Sequence, residues 1–355
     1  MAERTLVQET ASSQATVGRL PITHRGSFIK QFEGAHRSPS IVCFRFWELA
    51  VAAGCPYKCS YCFLQATPSY VFGRYPLQGA LFENWKDMLQ EVESWLAHPV
   101  PRLLLIGELQ DGLAFDGAYK RFAGRSLTEM LVPLFRRQKQ HRLVFLTKST
   151  CMQHLRRMEP TDNVVLSWSV NAETAGRRWE RGAPLPSRRL DAAKEMKGLG
   201  WPVRLRLDPM IPFDSWRDEY GTVVDSVNEI GPEMLTIGAL RASPTLQAHA
   251  RRNGRDSSVF DLLDKKDPSG FKYRLPFGTQ VEMFKFVVDR LDQRRIVAAL
   301  CKEDKSVWDA VNLEFNGCHC LLGTRDEVVR ERWSGRSPHR HESPRNRKGG
   351  NGNGG

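Results

Sequence analysis

From Phe44 onward, two rhythms of apolar residues alternate along the chain. Short continuous runs stand at RLLLIGE (102–108), RLVFLTK (142–148), NVVLSWSV (163–170), WPVRLRLDPMI (201–211), MLTIGAL (234–240) and RRIVAAL (294–300). Between them lie stretches with apolar residues three or four apart, at 81–97, 126–140, 188–200, 215–231 and 280–293. The runs predict strands buried on both faces, and the spaced pattern predicts amphipathic helices. An earlier strand-like run, CFRFWELAVAA, precedes the first helix, and a short helix is expected at 151–158. Strand and helix in alternation predict βα units and a parallel sheet. Six or seven such units make either an open doubly wound sheet or a full or partial βα barrel. Several strands end in polar residues: Gly107-Glu108, Lys148, Ser169 to Asn171, Asp208 and Cys301. Functional residues of a barrel gather at that end of the strands, so the pattern favours a barrel.

Outside this core the pattern changes. Residues 1–38 are polar and aperiodic and read as a mobile lead-in with one docked segment. Residues 39–300 form the core, 301–323 a small cysteine-containing subdomain, and 324–355 an Arg/Ser/Pro-rich tail ending in GGNGNGG that reads as disordered. Apolar residues make up 41% of the 355, ample for a large core. Net charge is +12, of which residues 324–350 contribute +4, leaving +8 elsewhere. A surplus of that size admits a polyanionic partner such as nucleic acid. No apolar run approaches the roughly 18 residues of a membrane span. MAERTLVQETASSQ lacks the charged-then-apolar order of a signal peptide. The chain therefore reads as cytoplasmic and without a membrane partner. In such a reducing setting, clustered cysteines are metal ligands more often than disulfides.

Six of the eight cysteines fall in two groups. The first, GCPYKCSYCFLQ, holds Cys55, Cys59 and Cys62 at the spacing C-x3-C-x2-C. Thiolates suit zinc or iron–sulfur clusters. A closed structural zinc site takes four ligands, and here the loop offers three, the nearest histidines being His36 and His98. Three thiols can hold three irons of a four-iron cluster and leave the fourth open to a small molecule. A zinc knuckle completed by a distant cysteine, or plain core cysteines, are the other readings.

This loop resembles the cluster loop of the radical S-adenosylmethionine enzymes, with Tyr61 before the last cysteine as a further likeness. The resemblance implies a partial (β/α)6 barrel, a [4Fe-4S] cluster on Cys55, Cys59 and Cys62, and S-adenosylmethionine as cofactor. It implies reductive cleavage of that cofactor to a 5′-deoxyadenosyl radical, with electrons from a donor such as flavodoxin or ferredoxin. The order CSYCFLQ, LVFLTKS, LSWSVN, then WPVRLRLDPMIP, is similar to the spore photoproduct lyase family over about residues 45–240. There the resemblance implies that Lys148 and Ser169, with Asn171 adjacent, hold the methionine carboxylate.

In that family a cysteine just after the second strand returns a hydrogen atom to the substrate radical. The matching stretch here, RLLLIGELQDGLAFD, has none, and Glu108 falls in its place. A carboxyl does not donate a hydrogen atom as a thiol does. Gly107-Glu108 instead resembles the Gly-Glu step that binds the methionine ammonium in many radical S-adenosylmethionine enzymes. The second cysteine group, Cys301, Cys318 and Cys320, has three open readings. It holds an auxiliary cluster or zinc with His319 or Cys43, it supplies the missing hydrogen donor through Cys301, or it is an ordinary set of cysteines. The basic stretch 241–255 reads as either a phosphate contact or a solvated loop. The substrate favoured is a nucleic acid or nucleobase. The alternatives are a protein or small metabolite, or a non-enzymatic iron–sulfur or zinc protein that binds nucleic acid and senses redox state.

Overall fold

The computed structural model describes residues 21–32, 41–43, 46–266, 272–315 and 317–321. One eight-stranded sheet forms its centre, and its strands follow chain order: β1 Ile29–Phe32, β2 Phe46–Leu49, β3 Leu103–Ile106, β4 Arg142–Thr147, β5 Val164–Ser169, β6 Val203–Met210, β7 Met234–Ala239 and β8 Val297–Leu300. Strands β2 to β8 run parallel. β1 lies antiparallel on β2, with Ile29 opposite Leu49 and Phe32 opposite Phe46. Among the described residues β1 and β8 do not pair with each other, so the sheet stays open, as in a partial barrel.

Helices α1 Trp85–Leu96, α2 Leu127–Arg136, α3 Pro186–Gly198, α4 Trp216–Ile230 and α5 Phe277–Arg290 lie in the strand-to-strand connections. Every residue of β3, β5 and β7 is buried, which is why these strands read as unbroken apolar runs. α2 opens on a capping box: Glu129 N donates to Ser126 Oγ at 3.1 Å, and Ser126 N donates to Glu129 Oε2 at 2.7 Å. The helix expected at 151–158 is only a 3₁₀ turn, Leu155–Arg157. Pro160 follows closely and disfavours the helical conformation just before it.

Two segments outside the βα repeat are anchored to it. On α1, Glu91 accepts from Phe28 N at 2.8 Å and Ile29 N at 2.9 Å. Residues 21–32 are thus the docked part of the N-terminal segment. After β8, Glu303-Asp304 pairs with Ile41-Val42, and a short helix, Lys305–Ala310, follows. Buried Arg204 of β6 then donates to the carbonyls of His319 and Leu321, both at 2.9 Å. Residues 1–20 and the tail read over 324–355 lie outside the described residues. No helix among those described is long and apolar enough to cross a membrane.

Candidate active site

A cavity of about 450 Å³ opens at the C-terminal ends of the parallel strands. The three thiols of the loop after β2 line it, together with Glu108 after β3, Lys148 after β4, Ser169 ending β5, and Arg206 and Asp208 of β6. Arg241, Lys272 and Lys302 complete the far wall. Tyr61 belongs to the same lining, but Asn171 and Cys301 do not.

The cysteine loop is fixed at several points. Gly54 has a φ of +68°, and a Cβ there would stand 2.3 Å from Pro76 O, so no other residue fits this entry to the loop. Cys55 N donates to Leu77 O at 2.9 Å, and Lys58-Cys59 pairs with Glu180-Arg181. From the basic stretch 241–255, Arg255 Nη1 donates to Cys59 O at 2.6 Å, and Asn253 reaches Gln65 of the loop at 3.2 Å. That stretch closes over the cysteine loop, a role its polar composition did not signal. Burial pushes all three thiols up, Cys59 to about 12 against the pull of Lys148. Thiols in such a place give up their protons to a metal, whose charge replaces the missing solvent. Among the described residues no three Cys, His, Asp or Glu side chains meet at a single ion-holding point. Three soft donors spread along one wall of a roomy cavity fit a cluster of several metals better than one ion.

Lys148 Nζ donates to Ser169 Oγ at 3.1 Å and lies 5.8 Å from the Tyr61 ring centroid. Behind them is Glu180, a fully buried carboxylate that sequence reading missed. It forms an ion pair with buried Arg189 at 2.5 Å. It also accepts from Tyr61 Oη and from Asn171 Nδ2 at 3.2 Å, and it stands 4.0 Å from Lys148. Burial would raise its carboxyl, but Arg189 and Lys148 outweigh burial and hold it at about 2. Asn171 therefore stands behind the cavity wall. Its amide serves Glu180, Pro209 O at 3.1 Å and Tyr220 Oη at 2.8 Å. Asp111 ties two strand ends together, accepting from Thr147 Oγ1 at 2.6 Å and Lys148 N at 2.7 Å.

Glu108 Oε1 accepts from Lys302 Nζ at 2.9 Å. Burial opposes its ionisation, yet Lys302 and Arg206 hold the carboxyl at about 2. Its loop is held from beneath by Glu48 of β2, whose Oε1 accepts from Glu108 N and Leu109 N, both at 3.1 Å. Burial and the Glu108 charge raise the Glu48 carboxyl well above its usual range. Gly107 has a φ of +131°, and a Cβ there would lie 2.2 Å from Leu146 O.

The far wall is basic. Arg206 and Arg241 both pair with Asp208, at 2.7 and 3.2 Å, and burial is outweighed so that Asp208 stays well below the carboxylate range. Lys272 is lowered to about 8 by burial and by the cations Arg241 and Lys302. Sequence reading named only Asp208 here, although Arg204, Arg206 and Asp208 stand at every second position of one strand, the period of a single face. Lys272 and Lys302 carried no comparable signal. Cys301 lies behind this wall, where its Sγ accepts from Arg206 Nη2 at 3.0 Å and Arg241 Nη2 at 3.6 Å. Burial raises its thiol to about 11, against Arg206. It shares a second, much smaller void with Cys43, Cys318, His319 and Cys320.

Comparison with known proteins follows the same lines. The family model for spore photoproduct lyase matches residues 43–238. A solved variant of spore photoproduct lyase with bound AdoMet and dinucleoside spore photoproduct superposes with a TM-score of 0.61 at 17% identity, over 79% of this chain and 81% of that one. Spore photoproduct lyase complexed with dinucleoside spore photoproduct gives 0.59 at 17% identity, over 76% and 78%. No match was found among curated proteins. The structural likeness establishes the partial-barrel fold. The family match spans more than half of the chain, and the protein therefore belongs to the spore photoproduct lyase family of radical S-adenosylmethionine enzymes.

Proposed function

We propose that this chain binds a [4Fe-4S] cluster through Cys55, Cys59 and Cys62 and S-adenosylmethionine beside it, and acts on a nucleic acid or modified nucleobase. One observation carries the reading: the three thiols and the Lys148–Ser169 pair face the same cavity. When bound, the cluster supplies the electron that splits S-adenosylmethionine into methionine and a deoxyadenosyl radical able to take a hydrogen atom from a substrate. The protein's part is to bind, orient and keep out water.

Lys148 and Ser169 are assigned to the methionine carboxylate, which an ammonium and a hydroxyl bind by charge-assisted hydrogen bonds. Glu180 and Arg189 keep that pair in place. Lys302 engages Glu108 Oε1, and Oε2 is the acceptor assigned to the methionine ammonium. Arg206, Arg241, Lys272 and Lys302 face Glu108 and Asp208 across the far wall. That basic surplus suits an anionic substrate such as a phosphodiester, and the solved relatives bind a dinucleoside spore photoproduct, which is of the nucleobase class. Spore photoproduct itself is disfavoured, because Glu108 replaces the hydrogen-donating cysteine. Cys301 is assigned to the second thiol group and not to hydrogen donation, since the Arg206–Asp208–Arg241 wall stands before it. Family membership sets aside the non-enzymatic reading.

The test is anaerobic reconstitution with iron and sulfide, then dithionite and S-adenosylmethionine, with 5′-deoxyadenosine measured by chromatography. Product from the parent and none from Cys59→Ala is expected, with more when an oligonucleotide substrate is present. A fully loaded cluster that neither binds nor cleaves S-adenosylmethionine would sink the reading.

A further inference from the structure

Four cysteines and a histidine from three separate segments meet behind the basic wall. Cys43 precedes β2, Cys301 follows β8, and Cys318, His319 and Cys320 lie on the returning C-terminal loop. All five line one void of about 20 Å³. That is room for about one water-sized sphere, which takes ~10–15 Å³, and far less than a four-iron cube requires. Cys318 and Cys320 stand two residues apart on one loop, and both face the same void as Cys43 and Cys301.

The same void is bordered by buried polar atoms with no hydrogen-bond partner. His319 is 1% exposed, its Nδ1 lies 3.2 Å from Ser167 Oγ, and its Nε2 is unpartnered. Thr236 Oγ1 and Arg206 Nη1, on the same lining, are unpartnered too. A buried polar group that stays unsatisfied is destabilising. Their gathering around one space marks a place built to receive something. With the proton on Nδ1 and shared with Ser167, Nε2 presents a lone pair to the void, as a metal-binding imidazole does.

We propose that this void is a second metal site, taking a single thiophilic divalent ion of the zinc class on Cys43, Cys301, Cys318 and Cys320, with His319 as an adjoining donor. Soft thiolates select such ions, and four ligands close a structural site. Four thiolates around a divalent ion leave a net charge of about −2, which needs buried counter-charge. Arg206 and Arg241 already donate to Cys301 Sγ, and Lys302 follows it in sequence. The clamp from Arg204 to the His319 and Leu321 carbonyls holds the loop against the sheet. No three of these donors yet point at one centre. One staggered χ1 step carries a sulfur by ~3 Å, a shift on the scale of the void itself. The proposal is independent of S-adenosylmethionine cleavage.

The test uses the full chain with Cys55, Cys59 and Cys62 replaced by Ala, so that only the second group remains to bind metal. The expected result is about one zinc retained per chain. Cobalt exchanged into the same variant should show an intense sulfur-to-cobalt charge-transfer band. Adding Cys318→Ser and Cys320→Ser should abolish both signals. If that variant does not fold, Cys43→Ser alone should weaken cobalt retention at least about 10-fold. No bound metal, a cobalt spectrum without thiolate character, or iron with acid-labile sulfide at this site would overturn the proposal.

Discussion

Replacing Glu180 by Gln removes one charge and almost no volume, from a site where Arg189 is fully buried beside it. The carboxyl is lowered from 4.5 to about 2. At about 1.36 kcal/mol per pH unit that corresponds to about 3 kcal/mol of native-state stabilisation at neutral pH. Breaking a buried ion pair by removing one partner costs about 3–5 kcal/mol, so two routes give the same magnitude. The sign with pH follows from the depressed carboxyl. Its contribution is fully present above pH 4.5 and is lost as pH falls through 2. The assay is denaturant unfolding followed by tryptophan fluorescence, in a Cys59→Ala background so that cluster loading does not intrude. Glu180→Gln should be less stable than its parent by about 3 kcal/mol at pH 7, with the gap narrowing steadily below pH 4.5. Adding Arg189→Met to Glu180→Gln should recover much of the loss, because no unpaired buried cation then remains. A gap under about 1 kcal/mol at pH 7, or one that does not change with pH, would refute the view of Glu180 as the charged support of the Lys148–Ser169 pair.

Three further outcomes are expected. Lys148→Ala should raise the S-adenosylmethionine Kd about 10–100-fold, the worth of one charge-assisted contact, while cluster absorbance is unchanged; equal binding by calorimetry would remove Lys148 from the cofactor site. Gly107→Ala should destabilise the fold by at least about 2 kcal/mol, because its Cβ meets Leu146 O at 2.2 Å and φ is +131°; a melting curve like the parent's would contradict this. Glu48 has its carboxyl raised by burial and by Glu108, so wild type loses stability relative to Glu48→Gln as pH rises above 4.5. Glu48→Gln should therefore be at least as stable as wild type at about pH 8 and lose that advantage near pH 4; an advantage that grew in acid would reverse the assignment.

The parallel sheet was legible because its strands are buried on both faces, and RLLLIGE or MLTIGAL cannot be mistaken for an amphipathic surface. The three thiols were legible from their spacing and Lys148 and Ser169 as polar strand ends, while the joint role of the last two came from the family resemblance. What escaped were groups whose meaning depends on distant partners. Glu180 follows a short helix, Glu173–Trp179, in a stretch of ordinary charged residues, and only the fold sets Arg189 against it. Ile29–Phe32 is a strand because β2 has a free edge beside it, and IKQF has no periodicity of its own. Asn171 sits next to the right residues in sequence, but the turn after β5 directs it away from the cavity. Cys301, Cys318 and Cys320 were grouped in the sequence, with His319 or Cys43 as a further donor, but their shared void and the Arg204 clamp on the loop that carries Cys318 and Cys320 depend on the fold.

The antiparallel edge strand also bears on where the working unit begins. β1 covers the exposed side of β2, and Phe32, its last residue, forms part of the cavity wall. A truncated version begun at residue 39 would therefore expose a row of unpaired backbone groups, the kind of edge that recruits other chains into aggregates. It would also lose an aromatic panel of the reaction chamber, lying 5.2 Å from the Lys302 ammonium. A fragment trimmed to the family-matched span would be both harder to keep in solution and leaky to water, so expression of this protein should retain at least residues 21–32.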